Sequence, residues 1–105
     1  MPTNTQLYDE ADKLKEAGQL EAAAAKLEEL LAQDSSYALA HSALAVLYGR
    51  LKRHDDAITH AERVCQLEPN DAFSYTALSV TYQRAGRIRE AEDAKARAQM
   101  MGGTH

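Results

Sequence analysis

The side chains best suited to chemistry in this 105-residue chain are four histidines, one cysteine and sixteen Asp or Glu residues. A structural or catalytic metal needs three or four of them brought together, on helices usually at i,i+4 spacing. His41, His54 and His60 lack that spacing, and Cys65 has no His or Cys within ligand reach along its helix. His54 and His60 therefore read as surface or junction residues, and Cys65 as a small buried hydrophobe. The carboxylate pairs Glu28-Glu29, Asp55-Asp56 and Glu92-Asp93 are adjacent in sequence. Neighbouring side chains diverge on a helix, so these pairs are solvated charges rather than an acid–base couple. Phosphate loop, nucleophile elbow and dinucleotide fingerprint are all missing. The expectation is a non-enzyme with no catalytic residues, no metal and no cofactor.

The elements that carry these residues are helical. Ala, Leu, Glu, Lys, Gln and Arg dominate, all good helix formers, while Pro is scarce and Gly falls between periodic segments. With 45% hydrophobic and 27% charged residues the composition is that of a soluble globular domain. No run approaches the roughly 18 apolar residues that span a bilayer. The start, MPTNTQLYDEAD, has neither the basic nor the apolar region of a signal peptide. A single Cys excludes an internal disulfide and agrees with a reducing cytoplasm, the expected location. A net charge of −4 gives no general attraction to nucleic acid or anionic membrane, and neither is expected as a partner.

Apolar spacing and breakers place six helices. The first runs from about Thr5 to Ala17, capped by Asn4 or Thr5 and ended by Gly18. A second covers Leu20 to Gln33, with Leu20, Ala23, Ala24, Leu27, Leu30 and Leu31 on one stripe. Asp34-Ser35-Ser36 is a turn able to cap the third, Tyr37 to Leu51, which buries Ala40, Leu44, Leu47 and Tyr48. The fourth, Asp55 to Leu67, is capped near His54 or Asp55 and stopped by Pro69. Asn70-Asp71 caps a fifth, to Ala85, ended by Gly86, and the sixth runs from Ile88 to Met101, ended by Gly102-Gly103. The short connections force antiparallel pairs.

Superimposing the chain on itself at a period of 34 residues aligns Ala11, Ala45 and Ser79, then Leu14, Tyr48 and Tyr82. Gly18 and Gly86 coincide around Lys52; Ala23, Ala57 and Ala91 form one column, and Leu30, Val64 and Ala98 another. Small residues recur where helix backbones approach closely and larger ones where the space between them must be filled. A helix–turn–helix of this period resembles the tetratricopeptide repeat. The middle unit carries the resemblance best, with Leu44-Ala45, Tyr48, Ala57, Ala61 and Pro69 at the signature positions. His41 and Tyr75 depart from the usual Trp, Ala45 from the usual Gly, and Ser35 from the usual Pro. The resemblance implies an all-α, right-handed α-solenoid of three antiparallel helix pairs. Its single domain fills residues 1–105, with repeats at about 4–37, 38–71 and 72–105.

The two ends of the array differ from its interior. Forward-facing positions are Leu20, Ala24, Leu27 and Leu31 in the first unit, and His54, Ile58, Ala61 and Cys65 in the second. In the third they become Ile88, Glu92, Lys95 and Gln99, while backward-facing Ala40, Leu44 and Leu47 correspond to Gln6, Glu10 and Lys13 in the first. Polar outer faces are what terminal repeats require, so a self-capped three-repeat module is expected. Charge drifts along it, from three basic against eight acidic residues in 4–37 to five against three in 72–105. A monomer is expected, and head-to-tail self-association through this gradient and Ile88, Met100 and Met101 is the alternative.

Arrays of this family present a concave face built from the first helix of each repeat. Carried onto this chain, that face holds Tyr8 and Asp12, then Leu39, Ser42, Val46, Gly49 and Arg50, then Phe73, Thr76, Val80, Gln83 and Arg84. Apolar side chains grouped between Arg50 and Arg84 suit a peptide with apolar anchors and an acidic group. Leu39 and Phe73 could instead pack at repeat junctions, and Gly49 could merely loosen a helix end. Some family members grip a chaperone's C-terminal carboxylate with Lys, Asn and Arg on these helices. The corresponding positions here are Tyr8, Asp12, Ala43, Phe73 and Ala77, none of which matches, so a chaperone-tail adaptor is not expected. The reading is a protein–protein interaction module, an adaptor or scaffold whose partner is a protein or peptide. Self-association, or service as the regulatory subunit of an enzyme, stands as the alternative.

Overall fold

A computed structural model describes residues 1–102. It contains α1 (Asn4–Glu16), α2 (Leu20–Gln33), α3 (Ala38–Arg50), α4 (His54–Leu67), α5 (Ala72–Arg84) and α6 (Ile88–Gly102), with no strand among the described residues. The helices pack as the pairs α1–α2, α3–α4 and α5–α6, and α2 and α4 join each pair to the next. The result is an all-α solenoid of 44 × 25 × 20 Å. Residue 103, part of the expected stop for the last helix, lies outside the described residues.

The three turns within pairs are one structure written three times. Gly18, Lys52 and Gly86 adopt φ of +81°, +63° and +79°. In each, the next amide reaches back five residues: Gln19 N–H to Leu14 O, Arg53 N–H to Tyr48 O and Arg87 N–H to Tyr82 O, at 2.8–2.9 Å. This closes the helix end as a Schellman motif. The caps differ from expectation in three places. Thr3, not Asn4 or Thr5, caps α1, its hydroxyl accepting from Gln6 N–H while Gln6 Oε1 accepts from Thr3 N–H. Asp34 folds its carboxylate onto Ser36 instead of α3, whose cap position Tyr37 has no side-chain bond. Neither His54 nor Asp55 caps α4, because the helix already begins at His54, after Arg53. Asp71 does cap α5, through Phe73 N–H at 3.0 Å.

Packing is uneven along the array. The largest fully buried side chains, Leu7, Leu27, Leu30, Leu44 and Leu47, all belong to the first two pairs. The core around α5 and α6 is built on Ala61, Ala91, Ala94 and Ala98 with Tyr75, Leu78 and Tyr82. Cys65 is buried there, its thiol donating to Ser74 O and pushed up to about 11 by burial, so it stays an unreactive thiol. The outer faces are polar as their residues require: Gln6, Glu10 and Lys13 at one end and Glu92, Lys95 and Gln99 at the other are exposed. No helix among the described residues is long and apolar enough to cross a membrane.

Each junction between pairs carries the same clasp. Tyr48 Oη donates to Glu28 Oε2 at 2.6 Å, and 34 residues on, Tyr82 Oη donates to Glu62 Oε2 at 2.6 Å. Arg53 lies 4.4 Å over the Tyr48 ring and Arg87 5.3 Å over the Tyr82 ring, each held by an acid three residues later, Asp56 or Glu90. In the first pair Leu14 and Gln19 occupy the Tyr and Arg positions.

Candidate functional site

A groove of about 490 Å³ opens between α3 and α5, with α4 as its floor. Helices α3 and α5 touch only lightly, so the gap between them is left to solvent. The α3 wall presents Leu39, Ser42, Ala45, Val46 and Gly49; the α5 wall presents Phe73, Ser74, Ala77, Val80, Thr81 and Arg84. Four apolar side chains stand out of these walls: Phe73 is 83% exposed, Leu39 59%, Val46 50% and Val80 40%. Leu39 and Phe73 therefore do not pack at the repeat junctions.

The equivalent space between α1 and α3 holds only about 20 Å³, room for roughly one water. The 34-residue offset explains the difference. Tyr8, Lys15, Leu27 and Leu47, which border the first depression, are replaced at the second by Ser42, Gly49, Ala61 and Thr81. Four exchanges of a large side chain for a small one remove the filling while the repeat geometry keeps the helices apart. Gly49 completes the hollow, since a Cβ there would meet nothing within 4 Å.

The groove is electrically bipolar. Glu68 and Asp71 lie where α4 ends and α5 begins, and Arg84 lies at the far end of α5. None of the three joins an ion pair among the described residues. His54 closes the Arg84 end, its Nδ1 shielded from solvent and without a hydrogen-bond partner among the described residues. No three His, Cys, Asp or Glu side chains converge as a metal site among the described residues.

The residues singled out from sequence divide into three sets. Leu39, Ser42, Val46, Gly49, Phe73, Val80 and Arg84 line the groove. Tyr8 and Asp12 border the small depression at the first junction, where Asp12 is engaged by Lys15 at 3.2 Å. Arg50, Thr76 and Gln83 are exposed and line neither. The α4 floor (Ala57, Ala61 and Val64) and the acidic pair Glu68 and Asp71 were not anticipated, because attention to first helices alone omits the helix between them. Comparing Leu27 with Ala61 in the repeat columns points to the α4 floor, while Glu68 and Asp71 carry no such signal.

No curated protein matches the chain. The family model described as tetratricopeptide repeat matches residues 38–71, the middle pair. Among solved structures, MamA superimposes with a TM-score of 0.88 at 22% identity, covering 96% of this chain and 59% of its own. The chain thus spans less than two thirds of that protein. The second TPR of Spaghetti (RPAP3), solved bound to the HSP90 peptide SRMEEVD, superimposes at 0.83 with 15% identity over 94% of this chain and 92% of its own. YrrB, described as a TPR protein with an unusual peptide-binding site, gives 0.87 at 17% identity, over 100% and 54%. At these identities the likeness is one of fold. Residues 38–71 are a tetratricopeptide repeat, and the chain as a whole is a three-repeat array of that fold.

Proposed function

We propose that this protein is an interaction module, serving as adaptor or scaffold, that holds a segment of another polypeptide in the α3–α5 groove. The observation that carries this reading is the groove itself: four exposed apolar side chains grouped around a hollow of about 490 Å³. Grouped exposed apolar side chains with a few polar groups at the rim are the usual features of a binding surface. Support comes also from the Spaghetti domain, solved with a peptide, and from YrrB, described by its peptide-binding site. The role is binding rather than catalysis. Asp12 sits paired with Lys15, and Phe73 and Ala77 offer no cation, so a chaperone-type carboxylate grip has little support here.

Self-association through the end of α6 has weaker support. Ile88 and Met100 are exposed, but they lie twelve residues apart, about 18 Å along the helix, with Glu92, Lys95 and Gln99 between them. They do not make one apolar face. The groove reading is tested by selecting a displayed random peptide library on the immobilised protein and measuring selected peptides by calorimetry. The comparison is a filled variant, Ser42→Tyr with Gly49→Lys, which restores the first-repeat residues and whose helicity is checked by circular dichroism. Selected peptides should lose at least tenfold in affinity for the filled variant. Equal affinity for both would place binding elsewhere.

A further inference from the structure

We infer that the occupant of the groove is an extended segment of a partner protein with an apolar centre flanked by one basic and one acidic residue about five positions apart. This rests on the groove reading above and adds the chemistry of the partner. Width decides the backbone form. From Leu39 to Gly49, or from Phe73 to Arg84, the walls run about 16 Å at 1.5 Å per residue. Helices α3 and α5 approach each other to within 8 Å between Cα atoms, too close for a helix about 10 Å across to enter between them. An extended strand rises about 3.3 Å per residue, so about five residues span the same length. Alternate side chains of that strand point into the groove, enough for two apolar anchors against Val46, Phe73 and Val80.

Charge decides the flanks. Glu68 and Asp71 mark one end, and Arg84 marks the other. All three carboxylate or guanidinium groups are free of ion pairs among the described residues, so a ligand charge there displaces no existing partner. Asp71 Oδ1 is committed to Phe73 N–H, which fixes that carboxylate at the rim. A doubly acidic segment meets repulsion at one end, and a doubly basic segment meets it at the other.

The test uses five capped peptides of the form X-Leu-Ser-Phe-Ser-Z, with X and Z as Lys/Glu, Glu/Lys, Lys/Lys, Glu/Glu or Ser/Ser, titrated by fluorescence anisotropy. At low salt at least one mixed peptide should bind five- to tenfold more tightly than the three unmixed ones, and the margin should shrink at about 0.5 M salt as screening shortens the range of the charges. The exposed substitution Arg84→Glu should move the preference to Lys/Lys. Equal binding by all five overturns the charge pattern and leaves the groove standing. Absence of binding by all five also overturns it, and the library selection then decides the groove on its own terms.

Discussion

His41 Nδ1 lies 2.9 Å from His60 Nδ1, a nitrogen-to-nitrogen hydrogen bond that joins α3 to α4. The other His41 nitrogen, Nε2, faces Ser35 O at 2.9 Å and must carry a hydrogen to donate to it. In the neutral pair His41 Nδ1 is then the acceptor and His60 Nδ1 the donor. One added proton fits on His60 Nε2, which looks toward Glu28 Oε2 at 3.7 Å. Two added protons would set N–H against N–H. Unfolding releases the His60 ring from this limit.

Stability should therefore fall on acidification. Burial is the main cause holding His60 below the ordinary histidine range, and His41 acts the same way, while Glu28 from α2 and Asp56 from α4 oppose them; the Tyr48 ring stacks alongside. With the folded value below the unfolded one, the unfolded chain binds more protons as pH drops below about 6.5. The contribution is complete above that value and is lost toward the lower, folded one. Urea midpoints between pH 8 and 5.5 should decline, with a slope from this site of at most about 1.4 kcal/mol per pH unit. His60→Gln, which can still donate to His41, should flatten the decline; an unaltered slope would remove the histidine pair as its source.

The repeated tyrosine clasp makes a second prediction. Burial, with help from the glutamate bond, pushes Tyr48 and Tyr82 up to about 12, so both hydroxyls remain donors throughout the physiological range. Glu28 is about half exposed and can turn to water when its donor is removed. Tyr82→Phe and Tyr48→Phe should each cost near the low end of a net hydrogen bond, about 0.5–1 kcal/mol by denaturant melts. A cost above about 2 kcal/mol would mean that the hydroxyls do more than join the pairs.

Much of the fold was legible because repeats compare themselves. Gly18, Lys52 and Gly86 stand in one column and make one turn, and Tyr48 and Tyr82 stand in another and make one clasp. The Thr3 cap also had a signal, since Thr3-Asn4-Thr5-Gln6 fits the reciprocal capping box, which neither Asn4 nor Thr5 can complete. Arg50 and Arg84 occupy equivalent positions, yet only Arg84 lines the groove. Arg50 bears the same relation to the first junction, and there Tyr8, Lys15, Leu27 and Leu47 have closed the space. The His41–His60 contact had no sequence signal. It depends on how two helix faces meet, which spacing along either helix does not encode.

Lys52 is the strained member of the turn column. A φ of +63° brings its Cβ against its own backbone, a cost of about 1–2 kcal/mol that Gly18 and Gly86 avoid. Glycine restores freedom to the unfolded chain and gives back part of that gain. Lys52→Gly should raise stability by about 0.5–1 kcal/mol, read as a shift in urea midpoint at constant slope. A lower midpoint would mean that the lysine side chain stabilises more than its backbone costs.

Leu44 carries the junction of the first two pairs. It is fully buried beside Leu27, Leu30 and Leu47. Truncation leaves a cavity that rigid neighbours fill only in part, so Leu44→Ala should cost about 2–5 kcal/mol. For a domain whose total stability is on the order of 5–15 kcal/mol, thermal melting should shift by many degrees. A melt matching wild type would contradict this placement of α3.

Gly49 allows function and stability to be read with opposite signs. It lies inside α3, one residue from its end, and a Cβ there meets no atom within 4 Å. Glycine in a helix costs about 0.5–1 kcal/mol against alanine, and the cost is smaller near a helix end. Gly49→Ala should therefore stabilise the fold by up to about 0.5 kcal/mol. The same methyl enters the groove that Ala45 and His54 also line, and narrows the space open to a ligand. Affinity for selected peptides should fall several-fold in a protein that melts slightly later. Unchanged affinity in the stabilised variant would assign the glycine to the end of the helix alone, with no part in shaping what the groove admits.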